Sequence, residues 1–562
     1  MSDDREMPIG RVVATEHNPT TTGQVRFWLA PEVDLKPFDF VRLSAPEDMH
    51  RDIGSFYAII DEIQQVSDEP SALSSFISAD FGDSGIPARV SRVVTTYADA
   101  TVLFNTRDIE MPVPHGARVH WPDETGVRKA LGTDDYHRRI PAGYVTMSGP
   151  DHAPMTIQVD MDADYLIGPE GAHLNISGIS GLATKTSYAM FLMTAIQQMQ
   201  RQEPDGDRRA AFVILNVKGS DLLRLHEAAP DLDAGTKANW EKCGLSAAPL
   251  DDVTYFYPYC STGARAQTNL DPDTVDANVA AGRGYRYFYD VEHALERLGL
   301  LVEDIDDPNQ TFVSCAEYCM DNIDRNSTWN GFRDSIREWS ANTPHKPIAV
   351  ASWRRFSRLF SQRTRNPVFT EKGVKAVAHR QVALDALLKH IRPGQVVVID
   401  IAKLPDYLQG FVVGDVIHLV RRARLGGDLL DDNENDTTSS PETVILFADE
   451  LNKFAPRHGQ ARSITRHLRE ISERGRSEGI ILFGAEQFRT GVDSHVTGNS
   501  GTQVFGRTTA VEASRDQEIK SLPGSQTKRV AFLRKGELLV SHTRFSSGTL
   551  KLRFPRNAYR PG

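Results

Sequence analysis

Cysteine is scarce, with four residues in 562 (Cys243, Cys260, Cys315 and Cys319). Scattered in this way, they exclude a disulfide framework and an all-cysteine zinc site. Cys315 and Cys319 stand four residues apart and would share a helix face, but no histidine pair accompanies them, so they read as small buried hydrophobes. Long apolar runs are also lacking: none reaches the ~18 residues a membrane span needs. The N-terminus (MSDDREMPIG) is acidic and polar where a secretory signal would be basic and then apolar. A soluble, cytoplasmic protein with no membrane association is expected. Nor is positive charge in excess. Against 64 Lys and Arg stand 75 Asp and Glu, a formal net charge of −11, which excludes a protein that coats nucleic acid with its whole surface. Local basic channels remain open, because arginine clusters at residues 354–365 (RRFSRLFSQRTR), 421–424 (RRAR) and 457–476. Taken singly, each cluster has a plainer reading as a solvated helix face.

What is present is enough chain for two to four domains, organised around residues 174–193 (LNISGISGLATKTSYAMFLM). An apolar strand breaks into glycines and resumes as a helix through Lys185 and Thr186. That is the P-loop arrangement, in which backbone N–H groups cradle phosphates at a helix N-terminus. Lys185 would reach the outer phosphates and the Thr186 hydroxyl would hold magnesium. Gly178, Ser180, Gly181, Ala183, Thr184 and Ser187 complete the nucleotide-binding set. The spacing departs from the standard G-x-x-x-x-G-K-[ST] pattern: Gly178 precedes Lys185 by seven residues rather than six, and Thr184 stands where the pattern has glycine. The plainer alternative is a Gly-rich strand-to-helix turn.

The second landmark lies far downstream. Residues 444–454 (VILFADELNKF) form an apolar strand ending in two acids, the form of a Walker B. Asp449 would serve magnesium, and Glu450 would orient and deprotonate the attacking water. This strand is expected to neighbour the P-loop strand, since open α/β sheets bind ligands at the C-terminal edge of their strands. Residues 479–485 (GIILFGA) form a further strand ending in Glu486 and Gln487, and an amide there can sense a γ-phosphate. Residues 211–217 (AFVILNV, followed by KGSDLL), 395–401 (QVVVIDI) and 502–507 (TQVFGR) complete a parallel-sheet pattern of continuous apolar runs. Residues 530–540 and 547–554 suggest a terminal hairpin.

Upstream, short apolar runs at 10–14, 24–29, 40–43, 56–63, 89–94 and 100–104, separated by turn residues, predict a small β-barrel. Residues 122–139 read as linker or loop. Helices are expected at 187–200, 290–301, 312–323, 408–424 and 463–474. The aromatics Tyr255, Phe256, Tyr257, Tyr285, Tyr287 and Phe288 read as core or interface rather than base-stacking platforms. The domain expectation is a barrel over 1–145, an α/β core over 146–225 and 346–545, a mainly helical insertion over 226–345, and a C-terminal tail over 546–562.

Five segments, in order, carry a resemblance. PIGRV with the barrel strands and RIPAGY, then LNISGISGLATKTS, PGQVVVIDIAKLPDYLQGFVVGDVIHLV, VILFADELNKFAP and RGRSEGIILFGAEQ resemble the HerA family of hexameric ATPases, relatives of FtsK-type DNA pumps. The resemblance implies a RecA-like P-loop NTPase core, ATP and Mg2+, a homohexamer, and DNA in the pore. It also implies a nuclease or other effector enzyme docking on the ring, as in repair or antiviral defence. In such rings an arginine of the next subunit completes the γ-phosphate site. Arg474, Arg476 and Arg507 are the candidates, Arg507 slightly favoured. The alternative is a nucleotide-binding hexameric scaffold that regulates an effector with little translocation, and the irregular P-loop would suit a slow, switch-like ATPase. Glu450 and Gln487 together favour the motor.

Overall fold

The computed structural model describes residues 7–562 except 79, 84, 86–92, 180–184, 203–208, 261–266, 306, 308–309, 343–347, 372, 374–379, 426–440, 459–462 and 523. The chain begins with a closed antiparallel barrel of β1 (Gly10–Val12), β2 (Gln24–Leu29), β3 (Phe40–Ser44), β4 (Ser55–Ser67), β5 (Val94–Asn105) and β6 (Arg118–His120), in the order β1-β2-β5-β4-β3-β6. Closure between β1 and β6 leaves no strand edge unpaired. Alternation fills the barrel: Val25, Phe27 and Leu29 of β2 are buried while Trp28 faces out. The predicted run at 100–104 is the middle of β5, and 89–92 of the preceding run lie outside the described residues.

Residues 122–139 are more ordered than a linker. They hold the helix Glu124–Leu131, capped by Asp123, whose Oδ1 accepts from the Gly126 N–H at 2.8 Å, and closed by Gly132 at φ 75. Two turns are too few for a periodic signal, yet Val127, Ala130 and Leu131 are fully buried.

The rest of the chain is α/β, built on one large sheet. Its strands are β7 (Arg139–Met147), β8 (Met155–Asp162), β9 (Leu174–Ser177), β10 (Ala211–Asn216), β11 (Val253–Pro258), β12 (Gly284–Phe288), β13 (Gln381–Ala383), β14 (Val396–Asp400), β15 (Val444–Ala448), β16 (Ile480–Glu486), β17 (Thr502–Phe505), β18 (Glu537–His542) and β19 (Thr549–Arg553). The order is β13-β12-β11-β14-β10-β15-β16-β9-β17-β18-β19-β7-β8, parallel from β13 to β17 and antiparallel beyond. Within it, β10-β15-β16-β9-β17 is the RecA-like arrangement. Continuous apolar strands follow from burial on both faces: in β10, Phe212 and Ile214 join the core on one side, and Ala211, Val213 and Leu215 the core on the other. The helix Lys185–Gln202 packs on the first side, and the helix Asp406–Leu425 on the second.

Several expectations are corrected. The strand bearing Asp449 and Glu450 is not adjacent to the P-loop strand, because β16 pairs with both and lies between them. Residues 226–345 are not mainly helical in their first half: β11 and β12 extend the central sheet, their aromatic runs buried like any inner strand (Tyr255 and Phe256 at 0% exposure). Residues 546–562 are no tail, since β19 pairs with both β18 and β7 and Tyr559 bridges to Ala228. The sheet also begins at Arg139, inside the span expected for the barrel domain. The helical part of the insertion is a bundle of Thr311–Asn322, Trp329–Asn342 and Val350–Arg363. Cys315 and Cys319 are buried within it, and burial pushes the Cys315 thiol up to about 12. Among the described residues no helix is long and apolar enough to cross a membrane.

Candidate nucleotide site

The parallel register places the ends of β9, β10, β15, β16 and β17 along one edge of the sheet. There the chain leaves β9 through Gly178, whose backbone passes so close to β17 that an added Cβ would lie 3.2 Å from the Gly506 Cα. Its φ of 159 is also one that residues with a side chain rarely adopt, so closeness and torsion both favour glycine. The Gly178 N–H donates to the Glu486 carbonyl at 3.2 Å and the Ile179 N–H to the Arg507 carbonyl at 2.9 Å, pinning the loop base between its neighbours. Ser180, Gly181, Ala183 and Thr184 lie outside the described residues. The helix then starts at Lys185, with Thr186 and Ser187 in its first turn. Its first N–H groups lack intrahelical acceptors and its dipole favours an anion there. Tyr188 to Met193 are all fully buried, which fixes the axis.

The P-loop helix and the Walker B strand meet despite the strand between them. The Thr186 Oγ1 donates to Asp449 Oδ2 at 3.1 Å, and the Lys185 Nζ lies 3.9 Å from Asp449 Oδ1. Lys185 is only 5% exposed, and its Nζ has no hydrogen-bond partner among the described residues. Burial lowers its pKa, opposed by Asp449 and Glu450. A buried ammonium with unused donors is costly on its own and suits phosphate oxygens. The Thr186 hydroxyl and the Asp449 carboxylate are oxygen donors of the kind magnesium takes. These residues therefore fit a Mg-nucleotide, in which the metal would neutralise charge on the phosphates.

Glu450 holds a left-handed backbone conformation, φ 54, which costs a non-glycine residue about 1–2 kcal/mol. Its N–H donates to Asp449 Oδ1 at 2.8 Å. Its Oε1 accepts from the Gln487 Nε2 at 3.2 Å, and also from the Lys218 Nζ. Burial pushes the Glu450 carboxyl up, but the bonds from Lys218 and Gln487 and the charge of Lys185 outweigh it and hold the pKa below the ordinary range. Gln487 thus sits at the end of β16 against the Glu450 carboxylate.

Lys218 is a site residue that the sequence motifs did not single out. It follows β10 by two residues, pairs with Glu450 and lies 3.9 Å from Asp449 Oδ2. The only signal was its place directly after an apolar strand, in KGSDLL. A second such residue is Glu486, fully buried between the P-loop and Walker B strands. Its Oε2 accepts from the Asn175 Nδ2 of β9 at 3.1 Å, and burial pushes its pKa up to about 8 against Arg489, Asn175 and Lys185.

No known family model matches the chain, and no curated protein matches it. Solved structures with some likeness include the bacterial conjugative coupling protein TrwB lacking its N-terminal segment (13% identity, 72% of this chain and 89% of that one, TM-score 0.42). VirB4 of Thermoanaerobacter pseudethanolicus matches at 13% identity over 76% of this chain and 97% of that one, TM-score 0.41. Plasmid coupling protein TrwB in complex with ADP and Mg2+ matches at 12% identity over 72% and 88%, TM-score 0.40. Likeness of that order assigns no activity.

The three arginine candidates divide. Arg507 is exposed just past β17, with its own carbonyl bonded to the loop base, so it borders the site of its own chain. Arg474 and Arg476 are exposed at the end of the helix Ser463–Glu478, which leads into the opposite end of β16. The Arg476 Nη1 donates to the Glu170 carbonyl at 3.3 Å.

Proposed function

We propose that this chain is an Mg-ATP-hydrolysing subunit of a hexameric ring that moves DNA through its pore. The observation that carries this reading is the meeting of Lys185, Thr186, Asp449, Glu450 and Gln487 at one sheet edge, with the Lys185 ammonium buried and lacking a hydrogen-bonded partner. Lys185 binds the outer phosphates, Thr186 and Asp449 hold magnesium, Glu450 takes the proton of the attacking water, and Gln487 couples the state of the site to β16. The γ-phosphate site is completed in trans by Arg474 or Arg476, which lie away from their own chain's site. Arg507 serves its own chain. The HerA resemblance adds a nuclease or other effector enzyme docking on the ring, in repair or antiviral defence.

One feature supports the scaffold alternative. Glu450 Oε1 is engaged by Lys218 and Gln487 at once, so the base is occupied at rest and turnover would be slow. The two readings differ in the ATP hydrolysis rate with and without DNA: a motor is stimulated and a scaffold is not. Lys185→Ala tests the site itself. Loss of nucleotide binding with the thermal midpoint retained is expected, and undiminished hydrolysis would overturn the assignment of the loop.

A further inference from the structure

Of the three arginine clusters, the one at 421–424 is engaged by the fold, and the one at 457–476 is engaged in part. Arg421 pairs with Glu470 and Glu478, Arg424 donates to the Glu478 and Pro441 carbonyls, and Arg469 pairs with Asp493. In the cluster at 354–365 the use is divided. Arg363 pairs with Asp304 and Arg355 stacks on the Phe312 ring at 5.1 Å. Arg354, Arg358 and Arg365 are exposed and, among the described residues, no carboxylate pairs with them.

These three face one cleft of about 650 Å3 between the helices Trp329–Asn342 and Val350–Arg363. Arg337 joins them from the other helix, held by Asp334 at 2.6 Å, and Ser357 and Ser361 add hydroxyl donors. None of the residues lining the cleft is acidic. Like charges at i and i+4, as in Arg354 and Arg358, destabilise a helix. Here the aromatic packing behind it holds the helix in place: Trp353, Phe356 and Phe360 are buried, with Phe332 and Phe360 4.8 Å apart. A cleft with three unpaired guanidiniums and no carboxylate among its lining suits an anion.

The geometry narrows the ligand. Arg354 and Arg358 stand on successive turns of a helix that ends at Arg363, about 13 Å of rise beyond Arg354, with Arg365 just past its end. Cations spread over that length exceed what a single phosphate occupies, so the anion is a polymer. The helix's aromatic side chains face inward and are unavailable for base stacking. Guanidinium forks and hydroxyls suit phosphate oxygens. We propose that this cleft binds the phosphodiester backbone of nucleic acid without reading its bases, at a site separate from the nucleotide edge of the sheet. The site stands whether or not the chain hydrolyses ATP, although the reading above supplies a reason for nucleic acid to be present.

The test uses the full chain and a short fluorescein-labelled oligothymidylate, followed by anisotropy across a salt titration without nucleotide. Combined Arg354→Ala, Arg358→Ala and Arg365→Ala should weaken binding at least tenfold at low salt and reduce the slope of log affinity against log salt by about 2, three contacts at about 0.7 each. Lys185→Ala should bind as the wild type does, which separates failure of this site from failure of the ATP site. If the triple variant has a lowered thermal midpoint, Arg358→Glu alone, on an exposed turn, carries the test with a smaller change of the same sign. Unchanged affinity and slope in the variants would overturn the proposal. So would displacement of the oligothymidylate by polyglutamate at equal charge concentration, which would make the cleft a dock for an acidic protein.

Discussion

At the pair of Lys218 and Glu450, an ammonium helps keep the proposed base ionised. Lys218 is among the groups that hold the Glu450 pKa below the usual carboxylate range, so Glu450 stays ionised as pH falls. Lys218→Met removes that influence and should raise the Glu450 pKa, moving the acid limb of the ATPase rate profile to higher pH. A limb that does not move would show that Lys218 does not set the base. Glu486 carries the opposite shift. Its folded pKa, about 8, lies above its value in the unfolded chain, so the native state binds more protons between the two and stability declines as pH rises through that window. Glu486→Gln keeps an acceptor for Asn175 and removes the titration, so the thermal midpoint of the variant should fall less between about pH 5 and 8 than that of the wild type. Parallel curves would refute it. Lys185, Thr186, Asp449, Glu450 and Gln487 were legible in the sequence because each sits at the end of a recognisable apolar strand or in a local pattern. Lys218 was not, because its role exists only where two strands 232 residues apart bring it to Glu450.

Among the elements, apolar strands of continuous burial announced themselves. β10, β14, β15, β16 and β17 were all visible as runs too uniform to alternate, and the terminal hairpin of β18 and β19 lies in the two runs expected for it, its first strand starting only at Glu537. Their order was not visible, since no residue of β16 says that it lies between β15 and β9. The aromatic strands β11 and β12 were hidden by composition: Tyr and Phe satisfy a helix core or an inner strand equally well, and only pairing with β14 decides. The helix Ser463–Glu478 carries the arginines that testing should separate. In rings mixed from two subunit types, Arg474→Ala or Arg476→Ala should be inactive alone and regain part of the ATPase rate when combined with Lys185→Ala subunits. Each mixed interface can then pair one intact arginine with one intact phosphate site. No recovery for either variant would remove the helix from the trans role.

For the whole molecule, an acidic chain and a nucleic-acid ligand are compatible when cations are confined to a few surfaces. A net charge of −11 describes the chain as a whole, while local basic groups set the field where phosphate must approach. The proposed motor depends on hydrolysis at the sheet edge, and Glu450 tests it most directly. Phosphate release from Mg-ATP and binding of a fluorescent ATP analogue should be measured on the wild type and on Glu450→Gln. The amide retains shape and hydrogen bonding but cannot take a proton, so binding should persist while turnover falls about 100-fold or more. Normal turnover in Glu450→Gln would contradict the assigned chemistry of the site.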